Sequence, residues 1–429
     1  MRRLLTAVER KGSVALLLLT IASTAIALGQ SQPTQNEQLA LVGGLIYVSP
    51  EQKPISDGVV LLTAGKIGAV GTRRSVRMPQ GIRTIDCSGL TVVPGLWNSH
   101  VHFLQRKWAD AATLPAAELE RQLQVMLTRY GFTSVFDTWS MWENTRRLRG
   151  RIESGEVPGP RIRTTGEAMF GTAVSTTAAS WAALGFMDLE KFELTRIAEP
   201  ADAVRGSKKL LDAGTDGLKF YAATPGRNSV ALPEAAMEAG VKEAHQRGKP
   251  VFAHPSTAAG LLAAVRAGVD VVTHTTPQSG PWDDAVLAAM KRAGVALIPT
   301  LKLWQYEFRH ERASLADGFV KTATGQLRAW IGQGGAVLFG TDVGYMSEYD
   351  PSEEYLLMAE AGMSVQLILS SLTTAPAERF GVSGELGKIT PGYRADITVL
   401  RNDPAKDIRA FAAVQYTLRD GKIIYQAPR

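Results

Sequence analysis

Four of the six histidines in this 429-residue chain stand at the ends of apolar, strand-like runs, where imidazoles could hold a metal. The densest case is Val92-Val-Pro-Gly-Leu-Trp-Asn-Ser-His-Val-His102. Residues two apart on a strand face the same side. His100 and His102 can therefore aim two imidazoles at one point, and neutral imidazole suits zinc and similar metals. Two histidines on a surface strand would read the same way, so the rest of the chain has to decide.

It offers further ligand types in order. Asp216-Gly-Leu-Lys-Phe-Tyr-Ala222 places Lys219 near a strand end. Pro250–His254, Val269–His274 and Ala336–Asp342 are three more apolar runs, each closing on a polar residue and each followed by a helical pattern. In parallel α/β barrels the active site lies at the C-terminal ends of the strands. Packing alone does not explain six ligand-type residues at that edge.

These residues make the sequence resemble the amidohydrolase superfamily of metal-dependent hydrolases. The resemblance rests on Pro94–His102, Lys219, His254, His274, the Gly340-Thr-Asp342 strand end and the closing segment Gly387–Leu400. It spans nearly all of the chain after residue 29. Lys219 on the fourth strand resembles the prolidase-like, imidazolonepropionase-related branch with two metals. The resemblance implies that His100, His102 and Asp342 hold one divalent ion, that His254 and His274 hold a second, and that Lys219 bridges them. Zinc is the expected metal.

The chemistry this implies is hydrolysis of a C–N bond in a small amide or peptide-like substrate. A metal lowers the pKa of bound water to ~7 and polarises a carbonyl, and two metals ~3.5–4 Å apart can share a bridging hydroxide. A free ammonium cannot ligate a cation, so Lys219 would act as a carbamate; the alternative is an ammonium beside a one-metal site. Carbamate formation needs the neutral amine, which burial favours. Asp342 would add general acid–base work, taking a proton from the attacking water and passing it to the leaving amine. Tyr221 shares the strand face of Lys219, and Arg227 lies in the following loop. Both are candidate substrate contacts, against core packing and a solvated loop respectively. Trp97 and Trp304 read as packing, and His245 and His310 as structural or solvated.

Composition fits an ordinary globular enzyme, 45% hydrophobic and 21% charged. The first 29 residues read as an export leader: Arg2, Arg3, Arg10 and Lys11 precede the uncharged run Val14–Leu28 and the small-residue site Ala27-Leu-Gly29. That run is short for a ~20-residue membrane span. A cleaved signal peptide and a periplasmic or secreted product are expected, without stable membrane association once the leader is removed; the rival reading is an uncleaved membrane anchor. The leader carries four basic residues against Glu9, half of the formal charge of +6, so nothing supports nucleic-acid binding. The single cysteine, Cys87, excludes an internal disulfide and suits a buried small hydrophobe.

The expected fold is α/β: a (β/α)8 TIM barrel over 94–384, with a small β-sandwich built from both chain ends, 30–93 and 385–429. Short strands with Gly and Asp punctuation at both ends suggest antiparallel pairing. Strand–helix alternation between them requires a parallel sheet. Phe132–Asp137, Arg161–Gly166 and Val295–Thr300 are further barrel strands, and Ala168–Lys208 is long enough for a substrate lid. The resemblance to the prolidase-like branch implies a dipeptidase or an N-acyl amino acid hydrolase. A one-metal, imidazolonepropionase-like cyclic amidohydrolase is the second enzyme reading, and an inactive binding or scaffold member the third. A homo-oligomer is compatible with any of them.

Overall fold

The computed structural model describes residues 38–172, 185–187, 195–222 and 232–428. The leader, part of the Ala168–Lys208 connection, and Arg227 lie outside them.

Eight short parallel strands form a closed ring. They are Leu96–Val101, Phe132–Asp137, Arg161–Thr164, Leu218–Tyr221, Val251–Ala253, Val271–Thr273, Ala296–Ile298 and Ala336–Val337. Neighbouring strands pair in parallel register except at two seams, which backbone hydrogen bonds close. Asp216 N donates to Thr164 O (2.8 Å) between the third and fourth strands. Ser99 N donates to Phe339 O (2.7 Å), and His102 N to Val343 O (2.8 Å), between the first and eighth. The first two strands are buried at every residue, as strands covered on both faces must be. Trp97, Phe136, Phe252 and Phe380 pack together inside the barrel. With that interior filled, open space is left at the strand C-termini.

The helix expected around Leu232–Gly248 runs from Glu234 to His245, with Pro233 as its N-cap. Between the third and fourth barrel strands, Met169–Gly171 and Thr195–Ile197 add two parallel strands beside the fourth strand's tip, where Tyr221 pairs with Phe170. Helix Pro200–Ala213 follows, closed at its start by a capping box between Glu199 and Asp202.

Strands from both chain ends share one eight-stranded sheet, joined where Thr91–Pro94 pairs antiparallel with Ile397–Leu400. Apolar clusters cover both of its faces, one including buried Cys87. Pairing is not antiparallel throughout. Strand Gln38–Ile46 runs parallel to both Arg83–Asp86 and Thr91–Pro94. Register shifts on either side of Gly44, the first at positive-φ Gly43, interrupt that strand, and its two halves meet successive partners. Gly95 then leads directly into the first barrel strand, so this sheet anchors the strand that carries His100 and His102.

Candidate active site

His100 and His102 share one face of the first barrel strand and aim their Nε2 atoms together, 3.1 Å apart. Asp342, just beyond the eighth strand, meets them from the side: its Oδ1 lies 3.3 Å from His100 Nε2 and 2.8 Å from His102 Nε2. One ligand atom from each of the three residues falls within 4.8 Å of the other two. Asn98 ties these strands together: its Oδ1 accepts from His100 N and Thr341 N (each 3.2 Å), and its amide donates to Thr341 Oγ1 (2.6 Å). Gly340 is required beside them, since a Cβ there would sit 2.7 Å from His100 Cβ.

His274 and His254 complete the floor. His274 Nε2 lies 3.9 Å from Asp342 Oδ2, and its ring centroid is 4.8 Å from that of His100 and 4.5 Å from that of His254. Its Nδ1 bonds Thr300 Oγ1 at 2.5 Å. His102 Nδ1 is 2.9 Å from Trp139 O. Lys219 is buried and donates to Thr273 Oγ1 (2.6 Å), which in turn donates to Ala253 O (3.0 Å). His274, Thr300 and Asp342 all hold positive φ, at 71°, 45° and 60°. Such backbone is uncommon outside glycine and tends to concentrate at active sites.

The electrostatics keep imidazoles at this point neutral and free to ligate. Burial, reinforced by the positive charge of Lys219, pushes His100 and His254 well below the usual imidazole range. Burial and neighbouring His254 do the same to His274. Burial also lowers Lys219 to about 7, against the pull of Asp342. Asp342 Oδ1 receives no hydrogen bond among the described residues, although it is buried against two imidazole nitrogens. Acceptor atoms facing acceptor atoms in a dry site lack a positive partner, which a divalent metal would supply. Behind His102, Asp137 accepts from Ser140 Oγ and from Thr164 Oγ1 (2.6 Å), and burial lifts its carboxyl to about 6.

A cavity of about 340 Å³ opens above this cluster, with His102, His254 and Asp342 in its floor. Trp139, Phe170, Tyr221 and Trp304 wall it, and Glu307 and Tyr345 complete it. Tyr221 stacks on His254 (4.5 Å, 17°) and on Phe170 (4.5 Å, 25°). Burial raises its phenol, which keeps it a proton donor.

Sequence reasoning placed Lys219, His254, Tyr221 and the tight trio around one centre, and the structure brings all of them to one barrel end. Trp304 packs in the core and also lines the cavity, donating to Thr275 Oγ1 (2.8 Å). His245 pairs with Asp270 Oδ2 (2.9 Å), away from the cluster, and His310 is exposed. Thr300, Thr273 and Asn98 were missed as positioning residues. Their signal was present: each is a polar residue at a strand tip or two residues from a candidate ligand. Glu307 and Tyr345 carried no such signal, because a short helix after the seventh strand and the loop after the eighth bring them in.

Residues 91–424 match the family model described as the Amidohydrolase family. The chain is 22% identical to ochratoxinase from Aspergillus niger, across 91% of this chain and 87% of that protein. It is also 22% identical to imidazolonepropionase from Porphyromonas gingivalis, across 88% and 90%. A solved Xaa-Pro dipeptidase with methionine bound in its active site superposes with a TM-score of 0.76 at 21% identity, covering 91% of this chain and all of that one. The chain therefore belongs to the amidohydrolase family and is a hydrolase acting on carbon–nitrogen bonds.

Proposed function

We propose that this protein hydrolyses an amide or peptide-like bond in a small molecule, as a dipeptidase or an N-acyl amino acid hydrolase, using divalent metal held by His100, His102, His254, His274, Asp342 and a carboxylated Lys219. One observation carries the reading: two imidazole nitrogens and a carboxylate oxygen from opposite ends of the barrel sequence lie within 4.8 Å of one another beneath a cavity. When bound, the metal supplies a Lewis acid that lowers the pKa of water and polarises a carbonyl. Zinc fits an imidazole-rich set.

The chain's own groups do the rest. Asp342 takes a proton from the attacking water at its carboxylate and delivers it to the departing nitrogen, so that the C–O bond forms as the C–N bond breaks. Tyr221, which lines the cavity, donates its hydroxyl to substrate oxygen. Trp139, Phe170 and Trp304 exclude water and seat an apolar group. Lys219, whose ammonium burial lowers to about 7, has a ready fraction of neutral amine that can add carbon dioxide, release a proton and present the two oxygens of a carbamate. Export, with removal of residues 1–29, belongs to the same reading; among the described residues no helix is long and apolar enough to cross a membrane.

The relatives and fold neighbours support a C–N hydrolase of this kind, and the one-metal alternative draws on the tightness of the His100, His102 and Asp342 trio. Metal counting by elemental analysis separates the two readings: two equivalents of zinc per chain for the first, one for the second. A screen of the zinc-loaded protein against dipeptides and N-acyl amino acids tests the reaction. Turnover of neither class would refute it. Intact mass with and without bicarbonate tests the carbamate.

A further inference from the structure

The cavity above the histidine cluster is chemically lopsided. Among the described residues lining it, Glu307 and Asp342 are acidic and there is no lysine or arginine. Asp342 belongs to the floor. Glu307 stands apart from it, at the end of helix Lys302–Glu307 and open to solvent, so it marks the mouth. Its Oε1 is fixed by the hydroxyl of Tyr345 at 2.5 Å. No basic side chain makes an ion pair with it among the described residues. Arg309, its nearest basic neighbour in sequence, turns back to bond Tyr306 O and lies over the Tyr306 ring, 3.6 Å from its centroid.

Aromatic rings flank the tyrosine that holds that carboxylate. The Tyr345 ring lies 6.3 Å from Tyr306 and 6.2 Å from Phe186, and Trp304, Trp139 and Tyr221 continue the wall toward the floor. A carboxylate set among electron-rich rings suits a substituted ammonium, because ring faces attract cations and the carboxylate supplies charge. The wall is largely apolar, so a cationic guest would also carry hydrocarbon. Partial desolvation, with a smaller contribution from the charge of Asp342, raises the Glu307 carboxyl against the hydrogen bond from Tyr345 and the charge of Arg309. A positive guest favours the ionised carboxylate.

We propose that Glu307, oriented by Tyr345, is a specificity-determining residue that receives a cationic nitrogen of the substrate, such as a free ammonium, attached to an apolar or aromatic body. Within the amide-hydrolysis reading on which this rests, it selects substrates bearing a free amine over their N-acylated counterparts. Glu307 takes no part in bond breaking; it holds the charged end while the scissile bond reaches the floor.

The test separates binding from hydrolysis. Phenethyltrimethylammonium is a permanent cation with no lone pair to offer a metal, and phenethyl alcohol is its neutral comparator. Each is titrated into the zinc-loaded protein by tryptophan fluorescence, since Trp139 and Trp304 line the cavity. The expected result is a ratio of dissociation constants that moves against the cation by about tenfold in Glu307→Gln, and further in Glu307→Lys, the size of a charge contact at a partly open aromatic site. A movement below threefold in both variants overturns the proposal. A second arm compares kcat/KM for a phenylalanine-containing dipeptide and its N-acetylated twin. A tenfold fall of that ratio in Glu307→Gln supports the assignment, and an unchanged ratio refutes it. If the wild-type protein hydrolyses neither compound, the cation ratio alone decides the role of Glu307, and the wider substrate screen decides the amide-hydrolysis reading.

Discussion

His274 Nδ1 and Thr300 Oγ1 lie 2.5 Å apart, joining the tips of the sixth and seventh barrel strands, and both residues hold positive φ. The bond settles which way the imidazole faces. With Nδ1 engaged by the hydroxyl, Nε2 is left to point toward Asp342, 3.9 Å from its Oδ2. Partners behind a ligating histidine fix its ring and tautomer, and losing one typically weakens metal binding by roughly 10–100-fold. Thr300→Val keeps the shape and removes the hydroxyl. We expect that loss of zinc affinity in a chelator competition, with unchanged far-UV circular dichroism. Wild-type affinity in the variant would remove His274 from the proposed ligand set.

Gly344 offers a steric test of the same centre. It sits at φ +100°, and a Cβ added there would lie 1.9 Å from His102 O. The obstacle is backbone, so His102 itself must move. Gly344→Ala should destabilise the protein by about 2 kcal/mol or more, from backbone strain and the clash together, and should release metal. Gly318, in helix Ala313–Gly332, has open space where a methyl would go, with nothing within 4 Å, so Gly318→Ala should stabilise by ~0.5–1 kcal/mol. Urea unfolding of the two variants checks both signs; equal effects would mean that close approach at His102 does not matter.

How much of this is legible in the sequence follows from what each signal depends on. His100, His102, His254, His274 and Asp342 end apolar runs, and a parallel barrel sends every such end to one face, so their meeting needs no contact information. Lys219 follows from the same rule. Glu307 and Trp304 belong to a helix beyond the seventh strand, and Tyr345 to the loop after the eighth. Which way such segments fold over the barrel is decided by contacts such as Glu354 accepting from Leu301 N (2.9 Å) and Lys302 N (2.8 Å), between residues about fifty apart. No local pattern announces them. The parallel pairing of Gln38–Ile46 is hidden for a related reason: turn residues suggest hairpins, and the interruption at Gly43 and Gly44 divides one strand between two partners.

Asp342→Asn separates holding a metal from moving a proton. Asparagine keeps an oxygen in the same place and cannot accept the proton that a carboxylate accepts. General acid–base residues contribute roughly 10²–10⁴-fold to rate. The variant should keep much of its zinc and lose turnover by that factor or more. Elemental analysis alongside kcat measures both. Normal turnover in Asp342→Asn would refute the proton-transfer role, whereas loss of metal would make ligation its larger part.

Lys219 predicts a pH dependence whose sign can be stated. Burial lowers its ammonium from the ordinary value of 10.5 to about 7 in the folded state. Between those two values the unfolded chain holds a proton there that the folded chain has released. Stability therefore rises with pH through that window, because the unfolded state binds more protons. Below about pH 7 both states are charged, and the folded protein bears the full cost of a buried cation. One fully resolved proton is worth at most ~1.4 kcal/mol per pH unit. In metal-free protein kept without bicarbonate, Lys219→Met should be more stable than the wild type at pH 6, and that advantage should shrink as pH rises toward 10. The lowered ammonium of Lys107 and the raised thiol of Cys87 titrate in both proteins, so the difference between them isolates Lys219. Urea unfolding at pH 6, 8 and 9.5 provides the measurement, and parallel stability curves would show that Lys219 is not buried as a neutral amine.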